Sequence, residues 1–419
     1  MSITRPRGTN DFLPEQTKKW QAVEALLRNM CREYGYQEIR TPMFEDTDLF
    51  ARGVGDGTDI VQKEMYTFTD RSGRSLTLRP ENTAAVCRAY GENKLYGLAK
   101  EVKLYYIGPM FRYERPQAGR FRQFHQFGLE YFGCADPMAD GEIITFAWDF
   151  YQRLGLKDLK LLINSVGCAN CRPAYRRALT EYFQPYLEQL CGTCRERLLR
   201  NPLRLLDCKN PACMEICAGA PKITDYLCGD CAEHYRQVKQ LLQAVDIPFT
   251  EDPGLVRGLD YYTNTAFEIV VDSIGAQSAV CGGGRYDGLM QEINGQSCPA
   301  VGFALGMERI FTALAAQNES IEAEQAVDVW VIGAGSRAAR DKAFAVTAAL
   351  RRAGWVCGMD YEDKSMKAHM KAANRSGAPI AVVIGDDEAA AGGVLVKCME
   401  DGSQTFVPEQ ELPAYLSRK

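Results

Sequence analysis

From Phe121 to Phe132 the chain reads FRQFHQFGLEYF, and side chains of opposite character alternate along it. A β-strand sends every second side chain to one face. Arg122, Phe124, Gln126, Gly128 and Glu130 therefore share one face, and Gln123, His125, Phe127, Leu129 and Tyr131 share the other. The second face needs a core. The first offers a cation, a ring, an amide and a carboxylate, with Gly128 leaving room where a side chain would stand. The strand before it adds Arg112 and Glu114 on a common face, and the stretch Arg115-Pro-Gln-Ala-Gly-Arg120 is too rich in Pro and Gly for strand, so it reads as a loop tip with two more cations. A hairpin with one wet side would explain the alternation without a ligand. The rest of the chain argues for a site.

With 419 residues, 46% hydrophobic and 25% charged, the chain is long enough for two or three domains with real cores. Its net charge of -5 means that any nucleic-acid site must be local. The N-terminal MSITRPRGTNDFLPEQ lacks an apolar core of signal-peptide length, and no run approaches the roughly 20 apolar residues that span a bilayer. A cytoplasmic protein with no membrane partner is expected.

Pro14 suits a first helical position, and Trp20, Val23, Leu27, Met30 and Tyr34 follow at helical spacing. Tyr36–Arg40 reads as a short strand, and a helix ends near Arg52. Met65–Thr69 and Ser75–Arg79 flank a turn and read as a hairpin. Glu81 then stands at the start of an expected helix, where a carboxylate stabilises the helix dipole without any further role. Later strands are expected at Lys157–Asn164, Ala266–Val271 and Val301–Leu305, the last running into a helix at Gly306. Arg309 falls in that helix's first turn, an unfavourable place for a cation, which points to function. Cys281-Gly-Gly-Gly-Arg285-Tyr-Asp lacks the Lys-Ser/Thr of a P-loop and reads as backbone close to a ligand.

Between Cys168 and Cys231 lie nine of the chain's 16 cysteines. Cys168/Cys171, Cys191/Cys194 and Cys228/Cys231 are CxxC pairs, and Cys208 and Cys213 form a fourth pair. Two thiolates at CxxC spacing chelate one tetrahedral ion, so these eight residues could supply two four-cysteine structural Zn²⁺ sites, with Cys217 left over. Order alone does not tell which pairs share an ion. Buried inert thiols in a helical segment are the competing reading. The segment, residues 168–242, reads as an insertion, helical over Arg172–Leu190 and Asp230–Leu242.

After a polar linker, apolar runs at Val327–Ile332, Ala381–Ile384 and Val394–Cys398, with helices at Arg337–Ala353 and Lys364–Arg375, make an α/β domain of ordinary size over residues 326–419. Residues 1–325 then form an α+β core, an antiparallel sheet flanked by helices and interrupted by the Cys-rich, mostly helical insertion.

FRYERPQAGRFRQFHQFGLEYFG, together with LRPENTA (78–84), VRGLDYY (256–262) and GFALGMER (302–309), resembles the histidyl members of the class II aminoacyl-tRNA synthetases almost from end to end. The RGLDYY element is the most specific to those members. The resemblance implies a homodimer that activates histidine with ATP and Mg²⁺ and charges tRNA(His). It makes Arg112 and Arg257 the cations at the reacting phosphate and Arg120 or Arg122 those at the outer phosphates. Phe124 and Arg309 become the faces around adenine, Glu130 and Tyr262 the readers of imidazole, and Glu81, Thr83 and Gln126 the ligands of the amino group. Arg115 and Gln117 would meet the tRNA acceptor end, and the C-terminal domain its anticodon. Asn82 departs from the pattern, since glycine is usual there; asparagine is the best substitute if the loop needs positive φ. The alternatives are the non-catalytic, histidine-binding regulatory paralogue of ATP phosphoribosyltransferase, and a zinc-stabilised RNA-binding protein without catalysis.

Overall fold

The computed structural model describes residues 3–55, 58–115, 120–256, 259, 261–321 and 327–417, with backbone alone at 275–277. The chain divides into two compact units, residues 1–321 and 322–419.

In the first unit α1 (Pro14–Glu33) starts on Pro14 and buries Val23, Leu27 and Met30 along one face. β1 (Gln37–Glu38) follows. Next come β2 (Phe44–Asp46), α2 (Thr47–Val54), β3 (Tyr66–Thr69) and β4 (Ser75–Leu78), whose three strands form a side sheet in the order β2-β4-β3. Its β3–β4 turn closes because the Asp70 carboxylate accepts from the backbone N–H groups of Ser72 and Arg74. Then come α3 (Thr83–Glu92), the hairpin of β5 (Val102–Phe111) and β6 (Gln123–Phe132), α4 (Pro137–Arg153) and β7 (Leu159–Ser165). The insertion holds α5 (Arg172–Phe183), α6 (Gly192–Arg200), α7 (Pro211–Ala218) and the start of α8 (Gly229–Ala244). The unit closes with β8 (Phe249–Glu251), β9 (Thr263–Val271), β10 (Ala279–Arg285), α9 (Leu289–Asn294), β11 (Ala300–Gly306) and α10 (Met307–Ala316).

Eight of these strands make one sheet in the order β1-β5-β6-β11-β10-β9-β7-β8. It is antiparallel except at its two outer pairs, β1 with β5 and β7 with β8. The alternation of β6 sorts its side chains as the sequence requires. Phe127, Leu129 and Tyr131 enter a core shared with Phe146 and Phe150 of α4, Phe267 of β9 and Phe303 of β11. Phe132, on the opposite face, joins Tyr90, Tyr106, Tyr261, Tyr262 and Tyr286 in a second cluster.

The glycine run of β10 needs a correction. Gly282, Gly283 and Gly284 are ladder residues paired with both β9 and β11. Glycine is required there because a Cβ on Gly283 would lie 2.2 Å from the Gly302 carbonyl oxygen. The run lets strands close on each other. Arg285, which ends β10, is buried and donates to both carboxylate oxygens of Asp140 on α4, and to the carbonyl of Cys134 at 2.9 Å. Burial alone would push the Asp140 carboxyl up, but His234 and Arg285 outweigh it and hold it below its ordinary value.

The second unit comprises β12 (Val329–Gly333), α11 (Arg337–Arg352), β13 (Cys357–Met359), α12 (Met366–Ser376), β14 (Ile380–Ile384), α13 (Asp386–Ala390), β15 (Gly393–Cys398), β16 (Gln404–Pro408) and α14 (Leu412–Leu416). Its sheet runs β13-β12-β14-β15-β16, parallel over the first three strands and antiparallel over the rest. β13 and β16 go beyond the sequence expectation. The first is three residues long, and the second exposes all but Val407, so neither carries a clear apolar signal. Lys364 pairs with Asp360 and Glu362. Among the described residues no helix is long and apolar enough to cross a membrane.

Asp140→Asn leaves the buried Arg285 with Asp287, 3.2 Å from its Nη1, as its remaining carboxylate, and should destabilise the first unit by about 3 kcal/mol in urea unfolding. Unchanged stability would mean that the pair does not hold α4 to the sheet.

Candidate active site

Glu130 lies at the bottom of the ligand face of β6, 1% exposed. Thr83, at the start of α3, donates its hydroxyl to Oε1 at 2.7 Å, and Tyr286 donates its hydroxyl to Oε2. Burial pushes this carboxyl up to about 8, against the two hydroxyl donors that favour its charged form. The fit depends on the neighbouring strand. Gly302 of β11 pairs directly with Glu130, and a Cβ there would fall 2.0 Å from Oε2. Gly128 differs from expectation: its vacant side is filled by the ring of Tyr106, its partner on β5, 2.3 Å from where a Cβ would stand.

Glu81, also buried, turns back on α3. Its Oε2 accepts from the Thr83 N–H at 2.8 Å and its Oε1 from the Ala84 N–H at 3.0 Å. These bonds satisfy two of the donors that a helix start leaves open. Burial raises its carboxyl despite them. Asn82 has φ -119, so the turn needs no left-handed residue. Asparagine is used for its side chain instead: Oδ1 accepts from the Thr41 hydroxyl at 2.7 Å and from Arg79 at 3.3 Å. Arg79 also donates to the carbonyls of Pro109 and Thr41, tying the β4–α3 turn to β5.

Above this pocket, Arg112, Glu114, Arg120, Phe124, Gln126, Glu268 and Arg309 line one cleft. Arg112 is aimed by its Nε, which donates to the Pro80 carbonyl at 2.8 Å, and its guanidinium carbon lies 5.3 Å from the Phe124 ring centroid. Arg120 donates to Glu114 at 3.0 Å. Arg309, anchored on the Ala279 carbonyl, is pushed below its ordinary value by burial and by Arg120. Gln126 keeps a buried Oε1 without a hydrogen-bond partner among the described residues. A buried acceptor left open in this way is costly unless a ligand donates to it.

Arg122 needs a correction. β6 begins at Gln123, so the two-residue period does not reach back to Arg122. It stacks 4.1 Å from the Tyr113 ring centroid and is not among the residues lining the cleft. Tyr262 sits in the buried tyrosine cluster, its ring 4.7 Å from that of Tyr261, which in turn lies 5.7 Å from Tyr286. Arg115 is exposed. Arg257 and Gln117 lie outside the described residues. Two site residues escaped the sequence reading. Glu268 is the one carboxylate in the apolar run of β9, a signal that was there to read, whereas Tyr286 was hidden in a stretch whose glycines drew attention.

His125, on the other face of β6, bonds to Glu308 through Nδ1 at 3.0 Å and packs on Phe12 and Trp20. It closes the core.

In the insertion, the eight cysteines form two quartets. Cys168, Cys171, Cys228 and Cys231 make one, and Cys191, Cys194, Cys208 and Cys213 the other, with all ligand atoms of each within 4.8 Å of one another. Neighbouring sulfurs lie 3.6 Å apart (Cys168 and Cys171) or 3.9 Å apart (Cys168 and Cys228; Cys191 and Cys208). Two sulfurs bound at 2.3 Å to one tetrahedral Zn²⁺ are about 3.8 Å apart, so the donor set fits such an ion. Cys217 is outside both quartets, its thiol donating to the Leu205 carbonyl at 3.3 Å.

A family model described as "Histidyl-tRNA synthetase" matches residues 8–310, and one described as "Anticodon binding domain" matches residues 327–419. The histidine–tRNA ligase of Desulfitobacterium hafniense is 53% identical over 411 residues, covering 98% of this chain and 97% of its own length. That of Pelotomaculum thermopropionicum is 55% identical over 419 residues, covering 100% of this chain and 98% of its own. Among solved structures, the apo histidyl-tRNA synthetase of S. aureus matches with a TM-score of 0.84 at 42% identity, over 99% of this chain and 100% of that one.

Gly302→Ala forces a methyl against the Glu130 carboxylate and the Leu129 carbonyl. It should cost about 2 kcal/mol of stability, the usual scale of overpacking, measured by urea unfolding. Wild-type stability would show that the Glu130 pocket has slack.

Proposed function

We propose, for a chain that belongs to the histidyl-tRNA synthetase family, that it activates L-histidine with ATP and transfers the histidyl group to the 3′ end of tRNA(His). The observation that carries this reading is the joining of two sites along one strand. Phe124 and Gln126 line the arginine cleft, while Glu130 floors a buried pocket on the same face.

In the first step an oxygen of histidine's carboxylate attacks the α-phosphorus of ATP. The bond to the bridging oxygen breaks, and pyrophosphate leaves with its electrons. In the second, the terminal ribose hydroxyl of the tRNA attacks the acyl carbon of histidyl-adenylate and AMP leaves. Substrate supplies the nucleophile in both, so the protein's task is to hold and neutralise. Arg112, aimed by Pro80, meets the α-phosphate, a role Arg257 shares, and Arg120 meets the outer phosphates. Phe124 and Arg309 take the faces of adenine. Mg²⁺ arriving with ATP offsets phosphate charge, and Glu114 and Glu268 are the cleft carboxylates suited to share it.

Glu81 gives one lone pair on each oxygen to α3 and keeps others for the substrate ammonium. The open Oε1 of Gln126 and the hydroxyl oxygen of Thr83 complete that subsite. Glu130 and Tyr262 read the imidazole. A pocket that bonds both ring nitrogens would reject apolar amino acids by on the order of 10⁴, leaving no need for editing. Arg115 and Gln117 are assigned to the acceptor end of the tRNA and residues 327–419 to its anticodon, in a cytoplasmic homodimer whose cysteine quartets hold structural Zn²⁺.

The regulatory-paralogue reading is not favoured, given the full-length ligase relatives and the C-terminal match. Pyrophosphate exchange into ATP, run with each standard amino acid, tests the proposal. Exchange with histidine alone is expected; none with any amino acid, or with another in its place, would refute it. Arg112→Ala should lose on the order of a hundredfold in that exchange, as loss of one preorganised charge stabiliser does. Near-normal exchange would remove Arg112 from the reaction.

The raised Glu130 carboxyl predicts a pH profile. The complex holds one proton between imidazole and Glu130. Below free imidazole's ordinary value of about 6.5, histidine must shed a proton to bind, and above about 8 the pair must take one up. Histidine affinity should therefore be highest between these limits and fall on both sides. Glu130→Gln should bind histidine weakly and lose the alkaline limb; a profile flat through pH 9 in the wild type would contradict the assignment.

A further inference from the structure

The two cysteine quartets are built at different places, and the first is joined to the histidine pocket by hydrogen bonds that can be traced. Cys168 follows β7 by three residues, and Cys228 directly precedes α8. The first quartet therefore joins the entry of the insertion to its exit, ligands 60 residues apart in sequence. The Cys228 N–H also donates to the Cys171 sulfur at 3.1 Å, so the two halves meet through backbone as well. α8 is fastened to the core beyond this point, with Tyr235, Val238 and Leu242 buried among residues of α4 and the sheet. The exit side of the quartet thus has a rigid base.

The entry side leads to the pocket. Arg172 comes immediately after Cys171 and opens α5. Its Nε donates to the Val166 carbonyl at 3.3 Å, and its other arm donates to the backbone carbonyl of Tyr262. Tyr262 is the last residue before β9, and Asn264, two residues on, exchanges backbone hydrogen bonds with Val166 and Gly167 at 2.7 and 3.2 Å. From Tyr262 the packing continues through Tyr261 to Tyr286, whose hydroxyl is on Glu130. The second quartet is different. Its hydrogen bonds among the described residues, Cys191 N–H to the Cys213 sulfur and Asn210 N–H to the Cys208 sulfur, stay inside the insertion, within a small core of Tyr175, Leu179, Phe183, Leu198 and Leu205.

We infer that the first quartet is a zinc-held clamp that positions Arg172 against Tyr262 and thereby shapes the histidine pocket, while the second zinc only folds the outer insertion. This rests on the reading of the pocket as a histidine site. A single tetrahedral ion suits the sulfur spacing, whereas a multi-iron cluster would spread its ligands more widely, and thiolate quartets favour Zn²⁺ among common divalent ions. Arg172 is a positioning residue, acting on the substrate only through Tyr262. A ligand-closed loop of this length costs the unclamped chain orientational freedom at both ends, which is what the metal removes.

The test uses the full-length protein, dialysed against a mild chelator, with zinc counted by elemental analysis and histidine and ATP binding measured separately by calorimetry. Wild type should hold two zinc ions per chain, and Cys228→Ser and Cys208→Ser one each. Histidine should bind about tenfold more weakly to Cys228→Ser, on the scale of one lost charge-assisted hydrogen bond, with ATP binding unchanged. Cys208→Ser should bind both ligands within about twofold of wild type, an effect inside the noise of a surface change. Arg172→Ala should keep both zinc ions and still show the Cys228→Ser defect, and Arg172→Lys, which can donate to the same carbonyl, should recover most of it. Fewer than two zinc ions in wild type would overturn the inference. So would wild-type histidine binding in Arg172→Ala, or equal defects in the two cysteine variants. A wild-type protein with two zinc ions that binds no histidine would instead overturn the reading of the pocket.

Discussion

A buried carboxyl group with no neighbouring cation among the described residues is the constraint around which the first unit is arranged. Among the described residues, two hydroxyls, from Thr83 and Tyr286, offset the loss of water at Glu130. Three separate parts of the chain must therefore meet at one point: the start of α3, the residue after β10 and the C-terminal part of β6. Gly302 must be bare opposite it, and the strand register must be held without slip, since a shift of one residue would send Glu130 into the apolar core and Leu129 into the pocket. The arginine pair with Asp140 on the far side of β10 and the Arg79 bonds to β5 and Thr41 brace that register from both ends.

The cleft above follows a different logic. In a chain of net charge -5, Arg112, Arg120 and Arg309 gather along one cleft, beside Glu114, Glu268 and Glu308. Each is aimed before any ligand arrives: Arg112 by the Pro80 carbonyl, Arg309 by that of Ala279, and Arg120 by Glu114. Such groups need little reorganisation as charge develops, which is the main way a protein can speed a reaction whose nucleophile belongs to the substrate. The same strand thus offers different environments a few residues apart, one open and lined by charges of both signs, the other buried.

Much of this was legible in the residues. The two-residue period of β6 correctly sorted Phe124, Gln126 and Glu130 from Phe127, Leu129 and Tyr131, because burial on one face leaves no freedom of register. It failed at Arg122, where the strand has not yet begun and the guanidinium stacks on Tyr113. Asn82 was read through its backbone when its amide oxygen is what the turn uses. The β10 glycines were read as facing a ligand when neighbouring strands need their space. The cysteine spacing pointed to four-thiol clusters, but pairing depends on how α5 and α8 return to one point, a tertiary fact that no local spacing contains.

The most direct check of the account is the ionisation of Glu130 itself, followed by isotope-edited infrared spectroscopy of labelled glutamate, with Glu130→Gln identifying the band. In the free protein the group should titrate near 8, remaining a protonated carboxyl at pH 7, and on adding histidine at that pH it should turn into a carboxylate as the imidazole takes the proton. A Glu130 already ionised at pH 6 in the free protein, and unchanged by histidine, would contradict both the dry pocket and its role in reading the substrate.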